Sequence, residues 1–353
     1  MNSTDMIKLR LAAQQLAGTV CKTPREIVRC FGAMQAQDYA MVKWAVGLRL
    51  DSSEQLVEEA INNAEVIRTH ILRPTWHLVP ADDIHWMLEL TAPHVKKITS
   101  SMCRKYDLDD KALMKYYRMI EKSLVGNKHL TRNEIIRDLK NDHSAQNIRS
   151  SLIMMCAELE GLVCNGVMRG KQITYALLDE RVPRKNTFTK EEGFAALAKK
   201  YFTSHGPATL QDFIWWSGFS VSNAKTALEL IKSELQTIQI ENQAYWFSDT
   251  ILHKRKNSDS IHLLPAFDEF IISYKDRTAS ISRDNQPKAF TKNGIFNPII
   301  VVNGEVVGTW KRIIKKDTVV VEIKPFKQLE NNQGIVLAAN LYGKYLGKIP
   351  EIR

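Results

Sequence analysis

The chain has 353 residues, 44% of them hydrophobic, with 49 Lys and Arg against 39 Asp and Glu, a formal net charge of +10. That composition excludes a disordered chain and leaves room for roughly two to four small domains. No apolar run approaches the ~20 residues of a membrane helix, and charges at Asp5, Lys8 and Arg10 stand where a signal peptide would be apolar. The five cysteines (Cys21, Cys30, Cys103, Cys156, Cys164) show neither CxxC nor Cys/His spacing. They predict reduced thiols, a cytoplasmic protein and no metal site.

The apolar spacing of Met6, Leu9, Leu11, Ala12 and Leu16 predicts a helix over 5–18, closed by Gly18. Thr23-Pro24-Arg25-Glu26 is a capping box with proline at the first helical position. Its helix runs through Phe31 and Met34 towards Gln35. A further helix over 53–63 and an apolar, β-branched hairpin over 66–79 follow. The same order then recurs. A helix over 110–124 precedes the box Thr131-Arg132-Asn133-Glu134, a helix over 144–160 and two strand-like runs within 161–177. A helix over 190–203 precedes the box Thr209-Leu210-Gln211-Asp212, a helix over 222–235 and strands over 235–240 and 243–247, with Glu241-Asn242 at the turn. One capping box is weak evidence. Three in the same setting predict three tandem winged helix-turn-helix units.

From residue 261 the pattern changes to strands over 261–264, 270–273, 299–302, 305–310 and 318–323, with Asn303-Gly304 as a hairpin turn and a last helix over 328–346. The expected fold is therefore α+β: three tandem winged helix-turn-helix units and a small C-terminal β-domain. The boundaries fall at 1–95, 96–185, 186–250 and 251–353. The last of these holds 17 Lys and Arg against 10 Asp and Glu, a charge bias suited to a polyanion.

Two short stretches carry candidate chemistry. Gln35 and Gln37 are separated by Ala36, just after a helix, so they can act together only where the chain is extended or turning. An amide offers an acceptor and two donors and can hold a water without charge. In the hairpin, Thr75 and His77 share one strand face, while Trp76 and Leu78 are expected to point into the core. Asp38 is the nearest candidate base. Arg169 and Lys171 at a wing turn, with Lys254, Arg255, Lys256, Lys311, Arg312, Lys315 and Lys316, are candidate phosphate contacts.

These stretches resemble the winged-helix DNA glycosylases of the AlkZ/YcaQ group. Met34-Gln35-Ala36-Gln37 is similar to that family's Gln-x-Gln catalytic motif, and Arg73-Pro74-Thr75-Trp76-His77-Leu78-Val79 to its hairpin. Leu264-Pro265-Ala266-Phe267-Asp268, continuing to Tyr274-Lys275-Asp276-Arg277, and the segment from Pro298 to Trp310 resemble further family signatures. Gln37 stands where the YcaQ branch has an acid, which places the chain nearer AlkZ. Pro74 stands where glycine is associated with the hairpin. The resemblance implies a monofunctional N-glycosyl hydrolase of base excision repair, with no metal and no other cofactor. Its partner would be double-stranded DNA with alkylated bases, and its range would extend to unhooking interstrand crosslinks. Gln35 and Gln37 would be catalytic; Arg73, Thr75 and His77 would line the pocket. With no heptad or dimer segment, the chain is expected to be a monomer. The alternatives are a non-catalytic, repressor-like winged-helix DNA-binding protein and a protein-interaction scaffold.

Overall fold

A computed structural model describes residues 3–137, 146–184, 187–254, 260–328 and 332–353. The chain is a mixture of helix and sheet, divided into two compact units that are not contiguous in sequence. One comprises residues 1–58, 194–216 and 220–353; the other comprises 59–193 and 217–219.

In the first unit the N-terminal helix is Ser3–Ala13, shorter than its apolar pattern. Gln15 takes the left-handed conformation (φ 58°), and Leu16 N–H bonds back to the Leu11 carbonyl, so the helix closes before Gly18. Pro24–Phe31 begins on Thr23, whose hydroxyl accepts from Glu26 N–H, and ends on Gly32 at φ 79°. The chain then runs extended through Met34–Gln35 and enters Tyr39–Leu50, capped by Asp38 through Met41 N–H. No helix over this last span is expected from the sequence. Gly47 interrupts its pattern, and the structure explains that residue: a Cβ there would lie 2.4 Å from the Tyr345 ring. The third box forms as expected, Thr209 and Asp212 exchanging hydrogen bonds ahead of Leu210–Ser217. Val221–Ile231 follows, then the hairpin Gln236–Ile240/Gln243–Phe247, turned at Glu241 (φ 49°) and Asn242 (φ 61°).

The C-terminal part of this unit is one five-stranded sheet in the order Ile349–Ile352, Thr318–Pro325, Glu305–Ile314, Ile299–Val302, Ile261–Leu264. Only the first pair is parallel. Asn303 (φ 52°) and Gly304 (φ 87°) turn the central hairpin as the sequence predicts. Two expectations fail here. The apolar run 270–273 is the helix Glu269–Ile272 and not a strand, because Asp268 caps it through Phe270 N–H. A short apolar run does not distinguish the two by periodicity. The edge strand Ile349–Ile352 is unexpected. The final helix is Asn332–Leu346.

In the second unit the hairpin Val66–Ile71/Arg73–Pro80 closes at Leu72, at φ 60°. Its first strand is buried throughout, because it packs on the helices Ile84–Lys105 and Gln146–Leu159. The 22-residue helix Ile84–Lys105 is also unexpected; Pro93 in its interior reads as a breaker, yet the helix continues through it. Asp110–Leu124 has the predicted bounds, with Asp109 as cap. Thr131 and Glu134 form the reciprocal box ahead of Arg132–Arg137. Leu130–Thr131, Thr174–Leu177 and Val163–Asn165 pair, in that order, into a small sheet. No disulfide joins any of the five cysteines; Cys103 and Cys156 place their sulfurs 3.6 Å apart.

Candidate functional site

The two glutamines lie on the short link between Pro24–Phe31 and Tyr39–Leu50. Gln35 is extended and its residue is only 5% exposed; Ala36 is fully buried; Gln37 is exposed, on a bend next to the capping residue. The buried spacer is as the sequence suggests. The bend at Gln37 ends the extended stretch, so the pair consists of one sheltered amide and one at the surface. Asp38 spends one carboxylate oxygen on Met41 N–H, 3.1 Å away, to cap the following helix.

What holds the link is Glu269, a residue that no motif in the sequence singles out. Gln35 N–H donates to its Oε1 at 2.6 Å across 234 residues of sequence. The Trp216 indole N–H donates to Oε2 at 3.2 Å, the Ser273 hydroxyl donates to the same oxygen, and His205 Nε2 stands 3.4 Å from it. Burial alone would raise this carboxyl's pKa. The hydrogen bond and charge of His205, with the Ser273 hydroxyl and Gln35 N–H, outweigh burial and hold it at about 2.

The neighbouring Asp268 is equally committed. Arg49 grips it bidentately, both nitrogens at 2.9 Å and both side chains fully buried. Arg49 also donates to the Gln14 carbonyl at 2.9 Å, and Gln14 Nε2 reaches the Tyr274 hydroxyl at 3.1 Å and the Glu269 carbonyl at 3.3 Å. Nearby His262 has its pKa lowered to about 4, by burial first and then by Arg49. The available signal for Glu269 was two adjacent acids entering an apolar run, a place where carboxylates need partners.

In the other unit, His77 is fully buried and its Nδ1 lies 3.0 Å from the Thr75 carbonyl oxygen. A carbonyl only accepts, so Nδ1 carries the proton. Arg73 and Thr75 are half-buried. Leu78 is in the core as expected, but Trp76 is not. It is half-buried, with the Arg68 guanidinium 4.4 Å over its ring and the His70 ring at 4.3 Å. Arg68 and His70 occupy that face, and His70 is hydrogen-bonded in turn to buried Glu158.

The predicted cations fare unevenly. Arg169 is paired with Glu134, beside the exposed Lys171 at the wing turn. Arg312 donates to the Tyr342 hydroxyl at 2.8 Å, and Lys315 meets Glu351 at 3.3 Å. Lys311 and Lys316 are exposed. Arg255 and Lys256 lie outside the described residues, as does the side chain of Lys254. A basic stripe goes unnoticed in the sequence although its spacing is readable. Lys111, Lys115, Arg118 and Lys122 lie along one face of Asp110–Leu124, all exposed, with no ion pair among the described residues. No helix among these residues is long and apolar enough to cross a membrane.

Known proteins share this architecture. A family model described as DNA glycosylase AlkZ-like matches residues 28–341. An interstrand DNA cross-link repair glycosylase of Streptomyces sahachiroi is 23% identical, over 94% of each chain. The solved structure of Streptomyces sahachiroi DNA glycosylase AlkZ aligns with a TM-score of 0.82 at 19% identity, covering 100% of this chain and 99% of that one.

Proposed function

Because the chain belongs to the AlkZ-like family of DNA glycosylases, and is therefore an enzyme that acts on DNA, we propose that it hydrolyses the N-glycosidic bond of cationic alkylated purines. The observation that carries this reading is the Gln35–Gln37 link: two amides, one sheltered and one exposed, on a segment whose backbone is fixed by a buried carboxylate. An alkylated purine leaves as a neutral base, so the protein need not protonate it. A water oxygen bonds to C1′, the C1′–N bond breaks with its electron pair going to the base, and the water's proton goes to solvent. The transition state resembles an oxocarbenium ion. The amide carbonyls of Gln35 and Gln37 would hold and aim the water, and positioning of this kind supplies much of the rate. Thr75, His77 and Arg73 are assigned to the lesion pocket on their motif alone. Crosslinks made through such purines break by the same chemistry, and the Streptomyces relative named for crosslink repair supports including them.

The finer fold reading belongs to the same proposal. Three helix–helix–hairpin successions, ending at Pro80, Leu177 and Phe247, support three winged-helix units, and the five-stranded sheet, which shares a core with Ile7 and Leu11 of the N-terminal helix, is the C-terminal β-domain of that reading. The deciding experiment is incubation with a duplex holding one 7-methylguanine, scored for abasic sites. Wild-type protein is expected to generate them and Gln35→Ala/Gln37→Ala to lose at least about 100-fold in single-turnover rate. Undiminished excision by the double variant would end the assignment.

A further inference from the structure

The hairpin face occupied by Trp76 opens onto a cavity of about 630 Å³ in the second unit. This is within the usual range of small-ligand sites, roughly 300–1,000 Å³. Arg68 and Trp76 form one wall, Arg132 and Asn133 at the start of Arg132–Arg137 a second, and Gln172 and Tyr175 of the wing a third. None of these residues belongs to the catalytic assignment above except as the spacer of the hairpin motif.

The chemistry of the walls is specific. Two guanidinium groups face one carboxylate, Glu134, and that carboxylate is already consumed by Thr131 N–H and hydroxyl, each at 2.8 Å, and by Arg169. Arg132 donates one N–H to Ser151 Oγ at 2.6 Å and meets no other acceptor among the described residues. The Trp76 indole Nε1 is buried and has no acceptor there either. The aromatic wall is rigid. Asn165 Oδ1 receives Arg68 N–H at 2.7 Å, and the His70–Glu158 pair backs the indole. A flat cation–aromatic wall, a second guanidinium and two rim amides match a planar heterocycle carrying an anion.

We propose that this cavity takes one unpaired nucleotide of bound DNA. Its base would lie against the Trp76–Arg68 wall and its phosphate at Arg132, with Asn133 and Gln172 at the base edge. The proposal rests on the chain's action on DNA and not on the roles of Gln35 and Gln37. A free nucleotide would offer the same chemistry, and the test separates the two sources.

The test measures dissociation constants of the full chain by fluorescence anisotropy, for a paired duplex and for the same duplex with one bulged nucleotide. Wild type is expected to prefer the bulged duplex by at least about fivefold. Arg132→Ala, and Asn133→Trp to fill the mouth from an exposed position, are each expected to bring the ratio close to one. Deoxynucleoside 5′-monophosphate, titrated alone against the full chain, is expected to bind too weakly to saturate. Saturable binding by it together with a wild-type ratio of one would reassign the cavity to free nucleotides and overturn the DNA proposal. A wild-type ratio of one, or a full preference retained by folded Asn133→Trp, would overturn it too. Excision of 7-methylguanine is scored on the same samples. Its absence in wild type would bear on the glutamines and leave the binding ratio to judge the cavity.

Discussion

The Gln35–Gln37 link and the Thr75–His77 hairpin are both short motifs of polar side chains around a spacer, and a distant buried carboxylate meets each in a different way. At the link, the Gln35 backbone N–H donates to Glu269, 234 residues away. The hairpin is secured by its neighbours: Thr69 and His70 face His77 and Trp76 across one ladder, and helix Gln146–Leu159 supplies Glu158. At the link the buried carboxylate takes the backbone itself, whereas at the hairpin Glu158 takes a side chain, that of His70. Perturbing each in turn measures that contrast.

The largest effect is expected from Glu269→Ala, which strips Gln35, Trp216 and Ser273 of a shared acceptor. A loss of about 3–5 kcal/mol in urea unfolding is expected, with excision falling to background; an unchanged urea midpoint would show that the link does not depend on this carboxylate. Acid should come next. His262 ionises near 6.5 when unfolded but at about 4 when folded, so the unfolded chain binds the extra proton and stability declines from pH 6.5 to 4, by on the order of 2–3 kcal/mol. Glu269, held at about 2, contributes stability that is present above its unfolded value near 4.5 and fades between there and 2. Amide exchange should accordingly loosen Gln35 before the hairpin as pH falls, and His262→Gln should flatten the upper part of the decline.

At the hairpin, Glu158→Gln is expected to cost about 1–3 kcal/mol by leaving His70 poorly matched, visible as a shifted thermal midpoint with Gln35 exchange unaltered. Gln37→Ala, at an exposed bend, should change stability by less than about 0.5 kcal/mol while slowing excision at least about tenfold; equal losses in both would mark the residue as structural. Lys115→Glu/Arg118→Glu should leave folding alone and flatten the salt dependence of DNA binding, by about 0.9 in log–log slope for each phosphate no longer neutralised.

The parts that were legible in the sequence are those decided within a few residues. Thr23, Thr131 and Thr209 each mark a helix start that the structure contains, and Asn303-Gly304 turns the hairpin it announces. Helix Tyr39–Leu50 is hidden by Gly47, whose justification is the distant Tyr345 ring, and Ile84–Lys105 by Pro93, through which the helix nevertheless continues. Glu269 is hidden for a deeper reason. Its partners come from positions 35, 205, 216 and 273, and no local pattern encodes a meeting of such distant segments. The unit boundaries, which leave and re-enter the chain at 58 and 194, are hidden in the same way.

The closeness of Gly47 to Tyr345 carries a consequence for descent. A methyl at 47 would sit 2.4 Å from that ring, so alanine there requires the ring to move aside or a smaller side chain to have replaced it. Where the ring has been replaced, substitutions at these two sites should be historically ordered, the ring yielding before the glycine, a sequence of events that reconstruction of ancestral chains can check.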